Sequence, residues 1–408
     1  MTKLMNKLTL PLQICWALTL AVDVGSAQQL GTPPLAENAE SVPTSAQAQT
    51  SIAVNPNDRA SVVQLYRSTY QASQGIASGW TGNRSTCTAG TTSQAYADAT
   101  ILRVNYFRAM AGLPSDVILT NTWNPKAQEA ALMMSAQKAL SHSPDTSWSC
   151  YTAAGAEAAG KSNLALGVDA AAAINLYMDD PGSGGNAAVG HRRWILYPPT
   201  KVMGVGNIPG TGGSAANDLW VIGGAGTRPA QPAWVAWPPP GYVPWQILPR
   251  TSGRWSFSYP GATFSGAAIS MRHAGTNVTV ILEAQAQGYG DNTIVWKPQG
   301  IPTSAPAGDT IYSVIVSNVV VSGKATMFAY NVTIIDPDIP AISSRFSSTN
   351  LVISWPSANT GYSLQQNSTL TNRSGWTTSS VSPQLVNNQY VATIPLATGP
   401  HFYRLRKP

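Results

Sequence analysis

The chain has 408 residues, room for two or three units of about 100–200 residues each. Only 10% are charged, against about 25% in an ordinary soluble protein, while 43% are hydrophobic and 13 are Trp. Packed cores are therefore expected and whole-chain disorder is excluded. The net charge of +6 is spread so thinly that no basic run exceeds Arg192-Arg193, which argues against a nucleic-acid partner.

At the start, Lys3 and Lys7 precede a short apolar stretch over 8–22, and Gly25-Ser26-Ala27 offers small residues for cleavage before Gln28. This reads as a secretory signal over 1–27. Interrupted by Pro11 and Gln13, it is too short to span a bilayer, which takes about 20 apolar residues. No later segment is long enough either, so the mature chain is expected without a transmembrane segment and outside the cell or on its surface. Cys15 leaves with the leader. The remaining Cys87 and Cys150 form an even pair, read as a disulfide in an exported chain.

Residues 28–58 are rich in Ala, Gln, Ser, Thr and Pro without periodicity, and read as a disordered linker. From 59 to 228 the pattern is helical first. Over 94–110, Ala95, Ala99, Leu102, Tyr106 and Ala109 recur at helical spacing before Gly112 and Pro114. Asn124-Pro125 reads as N-cap and first helical residue of a second helix running to Leu140. Asp169 is placed to cap a third, with Ala173, Leu176, Tyr177 and Asp180 on one stripe. Strands are expected over 201–208 and 218–223. The Pro-rich run around Trp237 marks a boundary near 229 that few contacts should cross. Beyond it, 277–286 and 325–335 alternate at period two, suggesting a β-sandwich (Ig-like) over 229–338. After Asp336-Pro337-Asp338, residues 339–408 read as a second, smaller β module, with Leu351, Ile353 and Trp355 alternating.

Several common enzyme signatures are missing: no G-x-S-x-G, H-E-x-x-H or paired C-x-x-C occurs. What remains is a sparse set of histidines and carboxylates. His142 follows the second helix and His191 stands before Arg192-Arg193. Asp179 and Asp180 end the third helix, where negative charge opposes the macrodipole at about 0.3–1 kcal/mol each. Such a local conflict points to a functional role, though Asp180-Pro181-Gly182 equally reads as a turn.

Six segments in order resemble the CAP superfamily of cysteine-rich secretory, antigen 5 and pathogenesis-related proteins. They are Asn105-Tyr106-Phe107-Arg108 with Gly112-Leu113; residues 119–131; Leu140-Ser141-His142-Ser143; Ser162-Asn163-Leu164-Ala165; residues 173–180; and GHRRWILYPPTKVMGVGNI from Gly190 to Ile208. The resemblance covers roughly 60–225. It implies an α+β architecture, an α-β-α sandwich with a cleft, followed here by the two all-β modules. In that family two histidines and two glutamates line the cleft, and some members bind a divalent metal there. Carried over, His142 and His191 match the histidines, and Asp180 or Asp179 the second glutamate. The first glutamate falls on Ser162, which supplies no charge; Glu157 is a candidate substitute. Zn²⁺ or another divalent cation on His142, His191 and Asp180 is one expectation. Two functions stay open: a binding protein for a hydrophobic or amphipathic small molecule, lipid, glycan or cell-surface component, and a metal-assisted hydrolase. A third is an adhesive exoprotein with an idle cleft.

Overall fold

The computed structural model describes residues 28–35, 51–357, 361–372 and 374–407. The expected leader over 1–27, with Cys15, and the middle of the expected linker, 36–50, lie outside the described residues. Among the described residues six α-helices form in the first half: α1 Arg59–Leu65, α2 Gln94–Met110, α3 Asn124–Gln137, α4 Ala153–Gly160, α5 Ala170–Asp179 and α6 Gly190–Ile195. Helix α2 has the expected bounds, and the Ser93 side chain caps it by accepting from the Tyr96 N–H. Helix α3 starts on Asn124 itself, because the Asn124 side chain accepts from the Val205 N–H at 2.9 Å rather than capping the helix. It stops at Gln137, short of Leu140, where Lys138 turns left-handed. Asp169 occupies the cap position of α5 without bonding its N–H groups; its carboxylate accepts from the Tyr96 hydroxyl at 2.8 Å.

Five strands build the first sheet: β1 Gln29–Leu30, β2 Ile118–Leu119, β3 Ser162–Leu166, β4 Val202–Ile208 and β5 Ala216–Trp220, in the order β1-β3-β5-β4-β2. All neighbours are antiparallel except β2 and β4. Alternation divides the sheet between two helical layers. Leu164, Leu166, Val202 and Ile208 pack with α3 and α4, while Ala165, Met203, Val205 and Leu219 pack with α1, α2, α5 and α6. This is the expected α-β-α sandwich. The G-V-G of β4 is what lets α3 lie so close: a Cβ on Gly206 would fall 2.0 Å from the Ala127 carbonyl oxygen. Trp123 then stacks flat on Trp220, centroids 5.0 Å apart.

The N-x-x-R pair of α2 holds loops in place. Asn105 is fully buried and its amide pairs with both backbone groups of Val117. Arg108, also fully buried, donates to the carbonyls of Pro114, Ile195 and Tyr197 at 2.8–2.9 Å. Burial pulls its pKa down to about 10, so it stays charged at neutral pH. Cys87 and Cys150 are joined as expected, their Cα atoms 5.0 Å apart.

Beyond 229, one five-stranded sheet (Gly241–Pro244, Ala268–His273, Thr276–Val278, Thr310–Val321, Lys324–Ile335) faces a four-stranded one (Val235–Trp237, Trp255–Ser258, Val280–Leu282, Thr293–Pro298). The expected strand over 277–286 is two short strands in different sheets, Thr276–Val278 and Val280–Leu282. Lys324–Ile335 buries Tyr330, Val332 and Ile334 at the period of two expected there. From 343 on, two small sheets enclose a separate core of Ile353, Trp355, Leu364, Ala392 and Ile394.

Two expectations are overturned. The junction near 229 is no sparse boundary. One continuous core crosses it, with Trp237 edge-on to Phe107 at 5.4 Å, and Arg192 donates to the Arg254 carbonyl at 2.9 Å. Charge was sparse in the sequence, yet the arginines there bond main-chain carbonyls across the junction, which periodicity could not reveal. Nor is the linker structureless where it is described. Gln29–Leu30 is a strand, and Ser51 and Ile52 bond Ser115.

Candidate functional site

Asp180 ends α5 in the left-handed conformation, φ +56°, so it is not on the helical stripe expected for it. That turn swings its carboxylate onto the start of α6. Oδ1 accepts from His191 Nδ1 at 2.9 Å, and Oδ2 accepts from the His191 N–H at 3.0 Å. Both residues are fully buried. The segment holding His191 is the short helix α6, which leads on towards strand β4. His191 stacks on Tyr177 at 5.6 Å with the planes 11° apart, and its Nε2 is buried without a hydrogen-bond partner. With Nδ1–H donated to a carboxylate, the neutral ring keeps its lone pair on Nε2.

Asp179 does different work. Its carboxylate accepts from the Thr251 and Ser252 N–H groups at 2.9 and 2.7 Å, docking that loop onto the end of α5. Arg254 adds bonds to the Asp180 and Gly182 carbonyls at 2.7 and 2.6 Å. The β-sandwich thus fixes the turn that aims Asp180.

His142 lies half-buried after α3, its Nδ1 2.6 Å from the Ala159 carbonyl and its Nε2 2.5 Å from the Thr32 carbonyl. Ser162, at the head of β3, sits 2.7 Å from the Ala158 carbonyl and 2.6 Å from Asp218 Oδ1. A serine has one proton. Donated to Ala158, it leaves the Ser162 oxygen to accept, and Asp218 must then donate as a neutral acid. Burial pushes the Asp218 carboxyl well above the usual range, in agreement. Asp218 escaped the sequence reading, although an acid inside the apolar strand β5 was a visible conflict. Glu157 does not replace the missing acid: it pairs at the surface with Lys126 at 2.6 Å.

The structure therefore brings His191 and Asp180 together and gives His142, Ser162 and Asp179 other partners. The expected metal set of His142, His191 and Asp180 is not assembled: among the described residues no group of three or more His, Cys, Asp or Glu side chains is placed to hold an ion. The donor chemistry disagrees as well. Both His142 nitrogens face carbonyls, and both Asp180 oxygens are occupied by N–H groups of the α6 start. The residues present do not fit a divalent cation.

No helix among the described residues is long and apolar enough to cross a membrane. No curated protein matches the chain. Residues 101–223 match the family model of CAP, the cysteine-rich secretory protein family. That stretch takes in the later part of α2, helices α3 to α6 and the sheet from β2 to β5, so the chain carries a CAP-family domain.

Proposed function

We propose that this CAP-domain chain is an exported binding protein, and that its ligand seats in the groove that the β3 edge, His142 and helix α6 form beneath residues 28–35. Export is inferred from the sequence of 1–27 together with the Cys87–Cys150 bond. One observation carries the choice of binding over hydrolysis: every polar side chain that the resemblance nominated, except His191 Nε2, is bonded to the protein itself. Hydrolysis by paired acids needs two titrating carboxylates in reach of substrate. Here Asp180 supports a ring, Asp179 docks a loop and Asp218 is buried against Ser162, its pKa raised by that burial. The all-β modules then serve as scaffold and attachment surface.

The hydrolytic reading draws on the Asp180–His191 pair alone, an oriented imidazole with Nε2 unengaged. Casein and simple esters, incubated with purified protein with and without added Zn²⁺, separate the two readings. Binding is supported if wild type and His191→Gln show the same background rate. Turnover that vanishes in His191→Gln overturns it.

A further inference from the structure

Residues 28–35 lie extended along this groove and touch it at successive positions. Gln29 and Leu30 pair antiparallel with Leu166 and Ala165, and the Gly31 N–H donates to the Leu164 carbonyl at 3.1 Å. In the sheet order β1 is outermost, so without it β3 presents an unpaired edge. One residue on, the Thr32 carbonyl meets His142 Nε2. Pro33 lies on Gly190, where an added Cβ would come within 2.4 Å of its ring. The Pro34 carbonyl then accepts from the Trp194 indole N–H at 2.8 Å. Both prolines are buried, whereas Gln28, Gln29 and Thr32 are exposed.

Two general modes of peptide recognition meet here: strand addition at a sheet edge, and a proline pair docked beside an aromatic N–H donor. Each proline brings no N–H that burial would leave unbonded, and Pro33 holds Thr32 extended. The groove reads main-chain groups at 29–32 and shape at 33–34, so side-chain selectivity rests on the prolines and on the missing Cβ of Gly190.

We propose that the groove is a receptor for an extended peptide with paired prolines, filled in cis by residues 28–35, so that an outside peptide of this kind binds only once that segment is displaced. The proposal rests on the binding reading and names its ligand class. A segment on the same chain competes at an effective concentration on the order of millimolar, which shuts out a micromolar peptide from wild type.

The probe is a fluorescein-labelled octapeptide with the sequence of residues 28–35, followed by anisotropy against the full chain. Wild type should leave it free. Pro33→Asp with Pro34→Asp should evict the cis segment and raise affinity at least tenfold, and adding Gly190→Ala should abolish that gain. A peptide with both prolines replaced by alanine should not bind. The proposal is overturned if the folded double variant ignores the peptide, or if Gly190→Ala leaves binding unchanged. Should the double variant not fold, Trp194→Phe keeps an aromatic ring there and removes the N–H. Proteolytic cleavage within 28–35 should then accelerate several-fold, and a rate equal to wild type overturns the proposal. A fluorescent fatty acid that binds the evicted variant where the octapeptide does not would overturn the peptide receptor and leave the binding reading standing. His191-dependent casein cleavage would instead remove the binding reading itself.

Discussion

Replacing Asp218 by asparagine tests the reading of the Ser162–Asp218 contact. Asparagine keeps the shape of the protonated acid and still offers an N–H to the Ser162 oxygen, 2.6 Å from Asp218 Oδ1 in the native chain. Burial raises the native pKa of Asp218 above its unfolded value of about 3.9. Between those two values the native state holds one proton more than the unfolded state. Its contribution to stability is full below the unfolded pKa and is lost as pH rises towards the native one, at up to about 1.4 kcal/mol per pH unit. Asparagine carries no such dependence. Urea unfolding at pH 4, 5, 6 and 7 should therefore find the two proteins within about 1 kcal/mol at pH 4, with Asp218→Asn gaining on wild type by up to about 1.4 kcal/mol per pH unit above it. Ser162→Ala removes the partner of a buried polar group and should cost about 1–3 kcal/mol. A difference between Asp218→Asn and wild type that stays constant from pH 4 to pH 7 would refute the neutral-acid assignment.

Other outcomes follow from packing and connectivity. Gly206→Ala drives a Cβ to 2.0 Å from the Ala127 carbonyl oxygen and should cost about 3 kcal/mol or more in a thermal or urea scan; a change below about 0.5 kcal/mol would contradict the close α3–β4 approach. Cys87→Ser with Cys150→Ser opens a link across 63 residues and should lower stability by about 4 kcal/mol in urea. A chain truncated after Arg228 loses Trp237 from Phe107 and Arg254 from Asp180, so it should be insoluble or lack near-UV circular dichroism, whereas one extended to Asp338 should unfold cooperatively. A soluble, cooperatively folding chain ending at Arg228 would show that the shared core is dispensable.

Much of the CAP-like part was legible in the residues. Helix α2 was fixed by its period and by Gly112 after it, strand β4 lies within the stretch expected as a strand, and the disulfide followed from cysteine arithmetic. These signals act within a few residues, where backbone preference, capping and turn chemistry decide. The two carboxylates that oppose the macrodipole at the end of α5 are held by partners from elsewhere, Asp180 by His191 and Asp179 by the Ser252 N–H. Helix α6 was missed because a six-residue run of mixed character fits a strand or a helix equally well.

Side-chain destinations were another matter. Asn124 and Asp169 stand at the helix starts the sequence marked, yet their side chains serve Val205 and Tyr96. Asp218 meets Ser162, 56 residues earlier, only because β5 lies beside β3, and it is the burial there that raises its pKa. The arginines at 192 and 254 turned an expected loose junction into a shared core. Residues 28–35 have no periodicity of their own and are ordered by an edge strand, a histidine and a tryptophan far along the chain. Local sequence determined which elements form, because their hydrogen bonds close within a turn or follow the pleat. The tertiary structure alone decided which buried polar groups found partners, because in a dry interior each must bond whatever the fold places beside it.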